Sequence, residues 1–204
     1  MKGVFIVIEG IDGCGKGTVV KRLVSELYET SKDNHIFLTR EPYQREWLKK
    51  FLSRLDPISQ GEDALKLFVE DRTKHCKIIE TFLKKNIIVI SDRFKHSTYA
   101  YQMAQDVPFE KIHELHKPLL APDLTIVIDL PAEEAVKRMT EGRTQDAHAF
   151  HKQDFLIKVR ENYLKQKELL GENIIYINGA RDRDSVFADA WKTVSEFLKQ
   201  RNSK

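Results

Sequence analysis

A chain of 204 residues fits one globular domain, and 34 Lys and Arg against 31 Asp and Glu leave a formal charge of only +3. With 32% charged and 41% hydrophobic residues, the composition is that of an ordinary folded protein, neither disordered nor fibrous. Basic and acidic residues alternate along the chain, so charge does not suggest a nucleic-acid surface and none is expected, and two cysteines are too few for a disulfide framework.

The first predicted element is the apolar run Val4-Phe5-Ile6-Val7-Ile8, ended by Glu9. It is too short for a signal-peptide core or a membrane span, so a cytoplasmic protein without membrane association is expected. A continuous apolar run of this kind predicts a strand buried on both faces. Directly after it come Gly10-Ile11-Asp12-Gly13-Cys14-Gly15-Lys16-Gly17-Thr18, and then helical spacing at Val20, Leu23, Val24 and Leu27. The glycines let the backbone curl so that successive N–H groups point inward at a phosphate. The helix N-terminus adds positive potential, and Lys16 neutralises β and γ oxygens. Strand, loop and helix in this order predict a nucleotide-phosphate site over these nine residues. Gly17 stands where the motif usually has the Ser or Thr that ligates Mg²⁺, with Thr18 following. The order Gly-Lys-Gly-Thr is similar to that of adenylate kinases, in which the metal is held largely through waters and phosphate oxygens. Cys14 reads as a small residue tolerated in the loop, and Cys14 and Cys76 both as reduced thiols.

Further apolar runs at residues 35–38, 87–90, 124–130 and 174–177 predict four more buried strands. Between them, helical spacing appears at Leu65, Phe68, Val69, Cys76, Ile79 and Phe82. It recurs at Leu156, Val159, Tyr163 and Leu164, and at Val186, Trp191, Val194 and Leu198. About five parallel strands with helices on both faces make a doubly wound α/β sheet in a single domain spanning 1–204. The polar stretch 141–153, with one glycine and with His148 and His151, is expected to form a short mobile lid. Arg40 follows the second strand and Asp92-Arg93 end the third, at the carboxyl edge where ligands of such sheets bind. Arginine suits bidentate phosphate recognition, although each could instead be half of an ion pair. Phe68 fits a core face with Leu65, Val69 and Cys76. His113 and His116, like His148 and His151, are three apart but lack the further ligands of a zinc site. His75 is expected to be a supporting or surface group.

Five segments in this order resemble the thymidylate kinase family over essentially the whole chain. They are the phosphate loop, Thr39-Arg40-Glu41-Pro42, the stretch from Leu67 to His75 with Phe68 and Arg72, Ser91-Asp92-Arg93-Phe94 with Ser97 and Ala100-Tyr101-Gln102, and Pro122-Asp123-Leu124-Thr125. The resemblance implies a P-loop nucleoside monophosphate kinase fold, phosphoryl transfer from ATP with Mg²⁺ to dTMP, and a homodimer. It implies that Phe68 stacks on thymine, Arg72 bonds its exocyclic oxygen, and Arg40 and Arg93 grip the dTMP phosphate. Thr98 would face the base N3 position, and Tyr101 would fill the space a ribose 2′-hydroxyl needs. Asp12 would approach the sugar 3′-hydroxyl and the metal, with Asp92 as its partner at the end of the third strand.

Two departures stand out. The family commonly continues Arg-Glu-Pro with glycines, whereas this chain has Pro42-Tyr43-Gln44-Arg45 and then an amphipathic segment with Trp47, Leu48, Phe51 and Leu52. In the lid, the family's Asp-Arg pair falls at Asp146-Ala147, which leaves Arg143 as the expected catalytic cation. Arg138 is expected to pair with Glu134 at i,i+4. A phosphate-monoester acceptor is already dianionic near neutral pH, so no general base is required. Lys16, Arg93 and Arg143 are then the expected catalytic residues. The alternatives are a kinase for another pyrimidine deoxynucleotide such as dUMP, and a nucleotide-binding regulator without transfer activity.

Overall fold

The computed structural model describes residues 3–46, 48, 60–140 and 148–202. In chain order these form β1 (Val4–Glu9), α1 (Lys16–Thr30), β2 (Ile36–Arg40), α2 (Gly61–Leu83), β3 (Ile88–Asp92), α3 (Lys95–Met103) and α4 (Phe109–His116). They continue with β4 (Leu124–Asp129), α5 (Ala132–Thr140), α6 (His148–Leu170), β5 (Ile174–Asn178) and α7 (Arg183–Asn202). The five strands are parallel in the order β2-β3-β1-β4-β5, as the apolar runs predict, with β1 in the centre.

Side chains of β1 alternate between two cores, as the pleat requires. Val4, Ile6 and Ile8 join Val19, Val20, Leu23 and Leu27 of α1, while Phe5 and Val7 face Cys76 and Ile79 of α2. Burial on both faces holds for β1, β3 and β4. It does not hold for β2 and β5, which are edge strands with one neighbour each; Leu38 on β2 is exposed. Leu164, predicted in the apolar face of its helix, also points outward, beside the buried Tyr163.

The register brings the ends of β2 and β3 together, with Arg40 opposite Asp92, and Ile8 opposite Asp92 on the other side. The residues that leave β1, β2 and β3 therefore meet at one edge. At the opposite end of the sheet, Arg201 of α7 pairs with Asp123 at 2.6 Å, and the Phe5 N–H donates to the same carboxylate at 2.8 Å. Among the described residues, no helix is long and apolar enough to cross a membrane.

Candidate active site

The phosphate loop leaves β1 in a conformation that only glycine takes without strain. Gly10 has φ 138°, and a Cβ there would lie 2.6 Å from the Ile128 carbonyl oxygen and 2.7 Å from Cys14 Sγ. Gly13 has φ 83° and presses against the Ala135 carbonyl in the same way. The turn ends at Gly15, whose carbonyl accepts the Thr18 and Val19 N–H groups as α1 begins. Among the described residues nothing lies within 4 Å of a Cβ at Gly17, so none of them excludes a side chain there.

Lys16 is nearly buried; its Nζ donates to the Ile11 carbonyl at 3.1 Å and stands 3.9 Å from Asp12. Burial, and then the Arg93 charge, pull the ammonium below its ordinary pKa. Cys14 beside it is buried, and burial pushes its thiol up despite the Lys16 charge, so the helix N-terminus makes no reactive thiolate here.

Arg93 follows β3 with φ 75°, a left-handed conformation rare outside glycine, and its N–H donates to the Ile8 carbonyl at 3.0 Å. Its Nη2 donates to Asp12 Oδ1 at 2.7 Å, and its Nη1 to the Gly10 carbonyl at 3.2 Å and to Ser97 Oγ at 2.9 Å. Behind it lies Glu9, fully buried and bonded to no cation among the described residues. The Glu9 carboxylate accepts the Phe94 and Ser97 N–H groups at 2.7 and 3.1 Å. It also accepts the Ser97 hydroxyl at 2.7 Å and the Tyr163 hydroxyl at 2.8 Å. Because both hydroxyl protons go to Glu9, the two oxygens turn their lone pairs to Arg93 Nη1, with Tyr163 OH at 3.5 Å.

Among the described residues, three cavities lie around this edge. The first, about 400 Å³, is lined by Asp12, Phe68, Arg72, Arg93, Thr98 and Tyr101, together with Pro42, Phe94, Gln102, Gln105 and Phe155. Six of the residues predicted to contact the acceptor thus share one space, and Phe68 stands at its wall rather than inside the core. Tyr101 OH donates to Asp12 Oδ2 at 3.3 Å. Gln102, whose importance the sequence reading did not isolate, is 3% exposed, and its Oε1 has no hydrogen-bond partner among the described residues. A lone buried acceptor at a cavity wall signals a donor on whatever fills the cavity.

Arg40 is not brought into that cavity. It lines a second one, about 900 Å³, with Lys16, Gly17, Thr18, Tyr43 and Asp92. Tyr43 and Gln44 are held by the Asp71 carboxylate, which accepts both of their N–H groups at 2.7 Å, so α2 anchors the segment that replaces the family's glycines. Asp92 Oδ1 is buried without a partner among the described residues. No cluster of three or more His, Cys, Asp or Glu that could hold a metal occurs among those residues. One free carboxylate oxygen beside a phosphate site suits Mg²⁺, which keeps most of its waters and is completed by phosphate oxygens. Asp12, already bonded to Arg93 and Tyr101, is the less available of the two predicted metal contacts.

A third cavity, about 480 Å³, lies on the other side of the loop, between Gly13, Cys14, Gly15 and Thr18 and the residues Arg138, Gly179, Arg181 and Arg183. Sequence reading did not mark this space. Arg138 makes its predicted bond to Glu134, at 2.6 Å, and also donates to the Gly179 carbonyl at 3.1 Å. Arg143, Asp146, Ala147 and most of the expected lid lie outside the described residues, as do Trp47, Phe51 and Leu52; Leu48 is buried.

Three of the described histidines are tied into hydrogen bonds within the fold. His75 is not a surface group but fully buried, bonded to Glu41 at 3.0 Å and Thr39 at 2.8 Å. His113 bonds Tyr99 OH at 3.1 Å, and His116 bonds Arg72 at 2.6 Å.

The profile of the family described as thymidylate kinase matches residues 8–190. A probable thymidylate kinase of Staphylothermus marinus is 36% identical over 199 residues, covering 96% of each chain. One from Thermococcus onnurineus is 37% identical over 210 residues, covering 97% of this chain and all of its own. The thymidylate kinase of Methylobacillus flagellatus is 32% identical over 203 residues, covering 97% of this chain and 99% of its own.

Proposed function

The chain belongs to the thymidylate kinase family, and from that premise we propose that it transfers the γ-phosphoryl group of ATP to dTMP, giving ADP and dTDP. The observation that carries this reading is the first cavity, where an aromatic wall and two arginines meet next to the phosphate loop. Phe68 stacks on the base, Arg72 donates to its exocyclic oxygen, and Gln102 Oε1 accepts the imide N3–H. Thr98 lies along the base edge, and Tyr101 fills the space beside the sugar. Arg93, held by Glu9 through two hydroxyls, takes the acceptor phosphate. Asp12 exchanges its bond to Arg93 for the sugar hydroxyl as the phosphate arrives.

The loop from Gly10 to Thr18, including Ile11, Cys14 and Gly15, holds the ATP phosphates, and the third cavity takes the remainder of ATP. Asp92, with Asp12 nearby, holds Mg²⁺, which when bound neutralises charge on the ATP phosphates. Arg40 lies along the second cavity, from which its long side chain joins the acceptor phosphate. The acceptor dianion is already nucleophilic, so the protein aligns two phosphates and spreads the charge of the transferring group over Lys16 and Arg93. Arg143 is assigned from the sequence as the cation that joins them. A single domain carries both sites, and it works as a cytoplasmic homodimer.

The test is ADP release from ATP and Mg²⁺ with dTMP, dUMP, UMP, dCMP, AMP and thymidine as acceptors. Fastest turnover with dTMP is expected. Preference for AMP or thymidine, or no transfer to any acceptor, would overturn the proposal.

A further inference from the structure

Arg72 is 2% exposed, yet it borders the first cavity, and four of its five N–H groups have partners among the described residues. Its Nε donates to Glu41 Oε2 at 2.8 Å and its Nη2 to the same oxygen at 2.5 Å. The second Nη2 hydrogen is directed at the Phe94 carbonyl, 3.4 Å away. One Nη1 hydrogen goes to His116 Nε2 at 2.6 Å. A guanidinium has five N–H groups, so one Nη1 hydrogen has no partner among the described residues and is left for a molecule in the cavity.

The tautomer of His116 follows from its neighbours. Its Nδ1 lies 2.7 Å from the Ile112 carbonyl, which only accepts, so the proton sits on Nδ1. Its Nε2 faces an arginine, which only donates, so that nitrogen presents a lone pair and the ring is neutral. Glu41 is fixed in turn, because its Oε1 accepts from His75 Nδ1 at 3.0 Å, while His75 Nε2 pairs with Thr39 Oγ1 at 2.8 Å. The chain of bonds from Thr39 to Ile112 lies almost wholly out of water, and each end of the guanidinium is tied to a different element. Glu41 holds it from the segment after β2, and His116 from the end of α4.

We infer that His116 is a specificity-determining positioning residue: by taking one Nη1 hydrogen of Arg72 it clamps the guanidinium, so that a single outward N–H reads the base. This rests on the reading of the cavity as the acceptor site. A base with a carbonyl at that position accepts the hydrogen. A base with an amino group there sets donor against donor, and the clamp keeps Arg72 from turning aside. Glu41 supplies charge and His116 supplies direction. Without His116 the guanidinium pivots on Glu41 and the penalty against an amino group is relieved.

The experiment compares the wild type with His116→Leu, which fills similar space without an acceptor, and His116→Gln, whose amide oxygen restores one. For each, kcat and KM are measured with dTMP, with dCMP and with ATP. His116→Leu is expected to raise the KM for dTMP about tenfold or more, with kcat and the KM for ATP little changed. The ratio of kcat/KM for dTMP over dCMP falls by about tenfold, and His116→Gln recovers most of both. An unchanged ratio in a folded His116→Leu, or a parallel loss of kcat with both acceptors, overturns the inference. Should His116→Leu not fold, wild-type selectivity in a folded His116→Asn, whose shorter amide does not reach Arg72, overturns it equally. A wild type that does not use dTMP at all overturns the underlying reading of the cavity instead.

Discussion

Tyr163→Phe removes one oxygen from the middle of the Glu9 network and leaves the ring volume intact, so no cavity is created. Tyr163 is 1% exposed, and burial, with the Glu9 charge behind it, holds its phenol well above the ordinary pKa. The hydroxyl is therefore a permanent donor to Glu9 at 2.8 Å. A hydrogen bond to a buried charged group contributes roughly 1.5–3 kcal/mol. For 204 residues the unfolding entropy is about 0.43 kcal/mol/K, so the expected fall in melting temperature is about 3–7 °C. The effect on catalysis is separate. With one of its two hydroxyl donors gone, Glu9 keeps the Ser97 hydroxyl and the Phe94 and Ser97 N–H groups, and Arg93 Nη1 loses an acceptor on that side. Arg93 then samples orientations away from the acceptor phosphate, and kcat falls about tenfold with the KM for ATP nearly constant. Calorimetry and steady-state ADP release measure the two effects. A variant with wild-type melting temperature and wild-type kcat would refute the argument that Glu9 acts on Arg93 through these hydroxyls.

Three further outcomes are expected. Lys16→Ala lowers kcat by about 10²–10³-fold or more, while its melting temperature does not fall, because a cation already disfavoured by burial is removed; substantial turnover would sink the assignment of the loop. Burial alone raises the Glu172 pKa, but hydrogen bonds and charges from His96 and Lys95 outweigh it and bring the carboxyl from 4.5 down to about 2. Its folded pKa being depressed, its contribution, of order 3 kcal/mol, is present above pH 4.5 and lost as pH falls toward 2, so Glu172→Gln should melt lower at pH 7 and lose stability less steeply on acidification; an unchanged acid profile would contradict this. Gly17→Ser places a hydroxyl in open space beside the Asp92 cavity, and the Mg²⁺ concentration for half-maximal nucleotide binding and activity should fall several-fold. No change in the Mg²⁺ requirement would indicate that the metal sits away from this position.

The parts of the molecule legible in sequence were those encoded by neighbours along the chain. Continuous apolar runs located all five strands, and the glycines of the phosphate loop announced a turn that their positive φ angles require. The pair Glu134 and Arg138 is a single helical turn. What stayed hidden depends on pairs far apart in sequence. Glu9 looked like the terminator of a strand, because nothing local says that Tyr163 will donate to it. Glu41 was one letter of a motif until Arg72 and His75 converged on it. Arg40 ends β2 and Arg93 follows β3 at the same sheet edge, yet each lines a different cavity, which nothing local in the sequence decides. Gln102 and Gln105 look like ordinary helix-end polar residues; Gln102 is distinguished by an amide oxygen with no partner among the described residues.

The strand order has a consequence for how the protein comes into being. β1 is the central strand, apolar throughout up to Glu9, and it is synthesised before either of its neighbours; β3 does not begin until Ile88, nor β4 until Leu124. During that interval α1 can cover one face, but both rows of backbone hydrogen-bonding groups stand open, and the other face waits for α2. Such delayed, non-local pairing slows folding and exposes a sticky segment to other chains. The segment that organises the finished sheet is thus the one most in need of protection in the nascent chain, and overproduction at high temperature should first reveal itself as aggregation of incomplete chains that end before β4.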